Sequence, residues 1–113
     1  MGVVNLPAAR RGDVWLTRLD PTVGNEIRKT RPCLVVSPDA MNRFLGTVMV
    51  VPLTSGSSPA RFRLPISFAD RQGLLLGDQM RSVSKLRLVK QVGSFDEPTL
   101  LKALKLLQEI FQK

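Results

Sequence analysis

Three polar clusters in this chain combine residue types that handle phosphate groups: Asn25, Glu26, Arg28, Lys29, Thr30 and Arg31; then Thr54 and Ser55; then Asp78, Gln79, Arg81 and Ser82. Each falls in a loop or at the end of an apolar run. Arg31 precedes Pro32, which biases its backbone away from helical geometry and towards an extended conformation. A guanidinium carried on such a segment is aimed, and its planar fork of donors matches two phosphate oxygens at once. Thr54 and Ser55 close an apolar strand, where a hydroxyl donates either to a phosphate oxygen or to nearby backbone. Asp78 and Gln79 interrupt an apolar run just after Gly77, and polar groups beside a core need partners. A solvated loop arginine, a turn hydroxyl and an internally paired aspartate are the plain alternatives.

Composition narrows the chemistry. The chain has 113 residues, 17 Lys+Arg against 9 Asp+Glu, and no His, for a formal charge of +8. Without His there is no Ser-His-Asp triad and no imidazole metal ligand or proton shuttle. One Cys excludes an intramolecular disulfide framework and a Cys-rich zinc site. A hydrophobic share of 43% with 23% charged residues suits one folded domain. No apolar run approaches the ~18 residues of a membrane span, and no signal peptide is visible. The positive excess favours a polyanionic partner. Arg61, Arg63, Lys85, Arg87 and Lys90 are expected to form a phosphate-tracking surface, or simply to keep the protein soluble.

The elements that must position these clusters read as follows. Residues 1–10 form a loose leader, and 11–113 a single domain. Residues 13–19 are rich in strand formers, with Trp15 either in the core or stacked on a base. Asp20-Pro21 signals a turn into a polar loop over 20–30, a length often used for function. Residues 32–36, with Cys33 as a small hydrophobe, and 47–51 are short continuous apolar runs, as for strands buried on both faces. Between them Ser37 and Pro38 predict the start of a short helix that carries Met41 and Phe44 inward and stops at Gly46. Residues 56–59 read as a turn, 61–66 as a strand with one wet face, 73–83 as a further strand, 84–88 as a helical turn and 89–92 as a last short strand. Ser94 and Glu97 form a capping box, with Asp96 as rival cap. Leu100, Leu104, Leu107 and Phe111 then recur at helical spacing. The sum is mainly β: a small, strongly curved barrel with one long C-terminal helix and one or two short ones.

Taken in order, Gly12-Asp13-Val14-Trp15, Asp20-Pro21, Gly24-x-Glu26, Thr30-Arg31-Pro32, Ser37-Pro38 with Asn42-Arg43, Pro52-Leu53-Thr54-Ser55 and Asp78-Gln79-x-Arg81-Ser82 resemble the MazF/PemK/Kid toxin family. The resemblance implies an SH3-like barrel with a C-terminal helix, assembled as a homodimer in the bacterial cytoplasm. It implies a toxin of a toxin–antitoxin pair that cuts single-stranded RNA without a metal or other cofactor, leaving 2′,3′-cyclic phosphate and 5′-hydroxyl ends. A cognate antitoxin protein is the expected inhibitor. The family's catalytic Arg and Thr fall on Arg31 and Thr54, its acidic loop residue on Glu26, and the base proposed in the Kid branch on Asp78. Asn25, Arg28, Lys29, Ser55, Gln79 and Arg81 are the expected RNA contacts. Where the Kid branch has a loop His and an Arg two residues before the Asp, this chain has Asn25 and Leu76. Where many members have Gln and Gly in the loop, it has Ile27 and Lys29, which should stiffen the loop and bear on RNA preference.

This chemistry suits a chain without His. RNA supplies its own nucleophile, the 2′-hydroxyl, and Arg31 is expected to stabilise charge developing on the phosphate. A general-acid role for Arg31 is disfavoured by a pKa above about 12. Two readings from other classes stand beside this one: a gyrase-binding toxin of the CcdB type, and a non-catalytic RNA-binding barrel.

Overall fold

Residues 32–35 and 48–53 are continuous apolar runs because their strands are covered on both faces. In the computed structural model, which describes residues 6–55 and 60–113, Leu34, Val36, Val51 and Leu53 enter one core cluster. Cys33, Val35, Val48 and Val50 enter a second on the opposite face. The first cluster is closed by Ala103 and Leu107 of the C-terminal helix. Ala9, Leu19, Val83 and Leu88, with half-buried Trp15 and Ile27 beside them, belong to the second. The continuous runs thus report two buried faces, where one wet face would have given alternation.

Among the described residues the elements are β1 (Asp13–Arg18), β2 (Thr30–Val35), α1 (Asp39–Phe44), β3 (Thr47–Thr54), β4 (Arg63–Phe68), β5 (Arg71–Leu76), β6 (Arg81–Ser84), β7 (Leu88–Ser94) and α2 (Glu97–Ile110), with 3-10 turns at Gly77–Gln79 and Lys85–Arg87. The strands pair antiparallel in the order β4-β5-β3-β2-β1-β7, and β6 pairs with β3. Hydrogen bonding does not return from β7 to β4, so the barrel is open. Packing fills the seam instead. The Phe68 ring lies 6.2 Å from that of Phe95, and a Cβ on Gly93 would come within 2.7 Å of it.

The single strand expected over 73–83 is two strands on one edge of β3. Residues Leu74 and Leu75 of β5 pair with Thr54 and Leu53, whereas Arg81 to Ser84 of β6 pair with Val50 to Thr47. The turn at Gly77–Gln79 carries the chain from one stretch to the other. Gly77 is required there, because its amide donates to the Phe62 carbonyl and an added Cβ would meet that oxygen at 2.7 Å.

Helix α1 departs from its expected orientation. Met41 and Phe44 point outward, Phe44 with 78% of its surface exposed, and the buried residue is Asn42. Six residues are too few for an apolar stripe to set a helix's roll, and a polar pair sets it instead. The Ser37 hydroxyl donates to Asn42 Oδ1 and accepts from the Met49 amide at 3.0 Å, and Asn42 Nδ2 donates to the Ser37 carbonyl at 2.9 Å. Pro38 takes the N-cap position expected for Ser37. Lys85 is not part of a phosphate-tracking surface. It is buried, and its ammonium donates to the Asn42 carbonyl near the end of α1, where helix carbonyls lack intrahelical partners.

At α2 the cap is Asp96, whose carboxylate accepts from the Thr99 amide at 2.9 Å, rather than Ser94. Phe111 lies past the last helical residue and is exposed. Ala9, in the expected leader, is buried in the second cluster. Residues 1–5 of that leader and the turn over 56–59 lie outside the described residues. No described helix is long and apolar enough to cross a membrane.

Candidate functional site

Arg31 and Thr54 stand at the ends of neighbouring strands. The β2–β3 ladder pairs Cys33 with Pro52. That is the ladder's last pair, and Arg31 and Thr54 each lie two residues beyond it along their strands. Both line an open cleft of about 480 Å³, together with Ser55, Arg71, Gln72 and Gly73. Its apolar wall includes Leu16, Pro32, Phe68 and Val92. No Asp or Glu lies among the described residues that line it. The Arg31 Nε donates to the Arg28 carbonyl at 3.2 Å, which fixes the root of the guanidinium, and no described group takes its two terminal amino groups. Two guanidiniums, two hydroxyls and a carboxamide over an apolar wall suit one phosphodiester with a base beside it.

Four of these residues, Phe68, Arg71, Gln72 and Gly73, were not legible as part of a site. They flank the two-residue hairpin turn Ala69-Asp70, in which both residues have positive φ, 52° and 60°. Such turns normally announce themselves by Asn-Gly or Asp-Gly, and here that signal is missing.

The other expected residues gather elsewhere. Asn25, Glu26, Asp78, Gln79 and Arg81 line a second cleft of about 530 Å³, with Arg63. Asp78 is engaged there: Arg63 Nε and Nη2 donate to its two oxygens at 3.0 Å each. This paired hydrogen bond holds the Asp78 carboxyl below the usual carboxylate range, so its proton affinity at neutral pH is poor for a base. Glu26 Oε1 accepts from the Val23 amide at 3.1 Å. Gln79 Oε1 accepts from the Ile27 amide at 2.7 Å, and Arg81 donates to the Leu19 carbonyl at 3.1 Å. Arg28 and Lys29 are exposed and line neither cleft. Among the described residues no three His, Cys, Asp or Glu side chains group as a metal site.

Lys29 holds a backbone conformation that glycine adopts more readily, with φ 68°. Its amide donates to Asp20 Oδ2 and its carbonyl accepts from the Leu19 amide, both at 3.0 Å. A left-handed non-glycine residue costs on the order of 1 kcal/mol, about what glycine loses in chain entropy. Lys29→Gly should therefore unfold in urea within about 0.5 kcal/mol of the parent, whereas β-branched Lys29→Val should lose more than about 1 kcal/mol.

Cys33 lies beneath this loop. Burial pushes its thiol up to about 12, against smaller opposing effects from a Thr17 hydrogen bond and the Arg81 charge. At pH 8 only about one thiol in 10⁴ is then thiolate. Iodoacetamide should leave the folded protein unmodified at that pH and alkylate Cys33 promptly in denaturant, with mass spectrometry as the readout.

The fold is an open, bent antiparallel barrel with a C-terminal helix, and it places an arginine–threonine pair in a cleft whose described lining carries no carboxylate. The chain belongs to the family described as PemK-like, MazF-like toxins of type II toxin–antitoxin systems, whose profile matches residues 10–111. It is 53% identical to Endoribonuclease PemK of Escherichia coli over 51 residues, a match spanning 45% of this chain and 38% of that protein. It is 35% identical over 109 residues to Endoribonuclease toxin ChpB of Escherichia coli strain K12, covering 90% of this chain and 93% of that one. A crystal structure of MazE-MazF from Deinococcus radiodurans superposes with a TM-score of 0.70 at 25% identity, covering 96% of this chain and 98% of that one.

Proposed function

We propose that this chain is an endoribonuclease toxin that cuts single-stranded RNA, messenger RNA in particular, and so arrests translation and growth. It does so in the cytoplasm, where its substrate and a cognate antitoxin protein meet it, and as a homodimer. The observation that carries the reading is the cleft shared by Arg31 and Thr54. Its relatives in the family carry the name endoribonuclease, and the Deinococcus MazF was crystallised with MazE.

The reaction follows from the residues. The strand enters with its scissile phosphate between the Arg31 guanidinium and the Thr54 hydroxyl. The 2′-oxygen of the preceding ribose attacks phosphorus as its proton leaves, the bond to the 5′-oxygen breaks, and that oxygen takes a proton from water. The products are a 2′,3′-cyclic phosphate and a 5′-hydroxyl. No metal takes part in this scheme, because the charge that grows on the phosphate oxygens falls to donors already in place. Arg31 meets it with two N–H groups, a contribution that strengthens as charge develops. In this scheme the proton of the 2′-hydroxyl passes to water, because Glu26 and Asp78 both line the second cleft and not this one, and Arg63 is bonded to both oxygens of Asp78. Asn25, Arg28, Lys29 and Ser55 are exposed and add contacts to the flanking strand, the cationic ones losing affinity as salt rises.

The test is incubation of the purified protein with mixed-sequence RNA in the presence of EDTA, followed by mapping of both new ends. Cyclic-phosphate and 5′-hydroxyl termini at a recurring short motif are expected. RNA retained without cleavage would make this a binding barrel instead. Neither retention nor cleavage would point to a protein target.

A further inference from the structure

Gln79 and Arg81 are expected RNA contacts, yet each also bonds the protein's own main chain. Both serve the loop over 19–29, which is otherwise largely exposed. Its first foot is held from the β6–β7 side: Arg81 Nη1 donates to the Leu19 carbonyl at 3.1 Å, and Arg87 Nη1 donates to the carbonyls of Arg18, at 3.0 Å, and Asp20. Arg18 answers by donating to the Leu86 carbonyl at 2.7 Å. The feet are tied to each other where Asp20 accepts from the Lys29 amide. Between them the loop body has one long-range anchor among the described side chains, the 2.7 Å bond from the Ile27 amide to Gln79 Oε1. Ile27 itself rests half-buried on the second core cluster.

That anchor sits one residue from the group that orients Arg31. The Arg28 carbonyl accepts the Arg31 Nε at 3.2 Å. A connected series therefore runs from Gln79 through the Ile27 amide and the Arg28 carbonyl to the guanidinium in the cleft. We propose that Gln79 is a positioning residue for Arg31: its carboxamide oxygen fixes the 26–28 backbone, and that backbone aims the guanidinium. The inference rests on the ribonuclease reading for its kinetic consequence but not for its structural one. A hydrogen-bond acceptor at this reach is what the position needs. Glutamate supplies it, and methionine, of similar length and without an oxygen, does not.

The experiment compares the full chain with Gln79→Met and Gln79→Glu. Two quantities are read in each: exchange of the Ile27 amide by NMR, and kcat and KM on one RNA oligonucleotide carrying the mapped cleavage motif. In Gln79→Met the Ile27 amide should exchange at least 10-fold faster, and kcat should fall between about 10- and 100-fold, since small misplacements of a reacting group cost that much. KM should stay within about 3-fold, as uniform binding is untouched. Gln79→Glu should restore both amide protection and kcat to within about 3-fold of the parent. A KM raised in both variants with the Ile27 amide still protected would mean that Gln79 reads RNA, and would overturn the proposal. Unchanged kcat in Gln79→Met despite faster exchange would overturn it as well. If the parent chain cuts no RNA while the Ile27 amide behaves as described, the ribonuclease reading fails and the anchor stands.

Discussion

Arg31→Lys is expected to lower kcat on RNA by on the order of 10²–10³, the usual loss for one preorganised donor to a developing oxyanion. The charge is kept in this variant, so a cleft that needed only positive potential would tolerate it. A paired donor is lost, because an ammonium is a point charge and cannot present two parallel N–H groups. Its root is lost too, since the bond from Arg31 Nε to the Arg28 carbonyl has no counterpart in lysine. KM should rise less than kcat falls, because the donors matter most as charge builds. Single-turnover cleavage at saturating protein measures this directly. Near-normal turnover in Arg31→Lys would remove the bidentate role. The fold should be unaffected, as Arg31 is only half-buried.

The second large effect concerns a residue without a side chain. In Gly73→Ala the new Cβ would lie 2.8 Å from the Thr54 carbonyl oxygen and 3.5 Å from its carbon. Both atoms are backbone, and Leu74 is paired with Thr54 in the β3–β5 ladder, so relief requires the two strands to part at Thr54. Overpacking of this kind costs about 1–3 kcal/mol, or a Tm lower by several degrees at this chain length. The larger consequence is kinetic: a Thr54 displaced by a few tenths of an ångström to one ångström should cost up to 10²-fold in kcat. Gly46→Ala is the control, since a Cβ there meets nothing within 4 Å, and it should leave both quantities near the parent values. A Gly73→Ala protein with parental kcat and Tm would show that β3 and β5 separate freely at Thr54.

Much of the architecture is written locally in the chain. The two-faced runs around Leu34 and Val50, the turn at Asp20-Pro21 and the 3.6-residue recurrence of Leu100, Leu104 and Leu107 all depend on neighbours along the sequence, and all appear in the structure. What stayed hidden depends on distant partners. The roll of α1 is set by Asn42 reaching Ser37 and by Lys85, 43 positions away, reaching Asn42. The break at Gly77 exists because Phe62 approaches it. The engagement of Asp78 by Arg63 spans 15 positions, and nothing local marks it. For the candidate site, Arg31 and Thr54 come to one cleft only because β2 and β3 run side by side. The hairpin residues Phe68 to Gly73 had no turn signature to draw attention to them. The resemblance placed Gln79 and Arg81 against RNA; their geometry adds a tie to the loop that no local pattern marks.

The most direct measurement is a crystal structure of the protein with an RNA oligonucleotide that carries a 2′-deoxy substitution at the cleaved position, so that the nucleophile is absent and the strand stays whole. The scissile phosphate should lie in the cleft of Arg31 and Thr54, with one oxygen about 3 Å from the Thr54 hydroxyl and two from the terminal nitrogens of Arg31. A phosphate seated instead in the cleft of Arg63 and Asp78, with the Arg31 guanidinium and the Thr54 hydroxyl both out of reach, would contradict the mechanism.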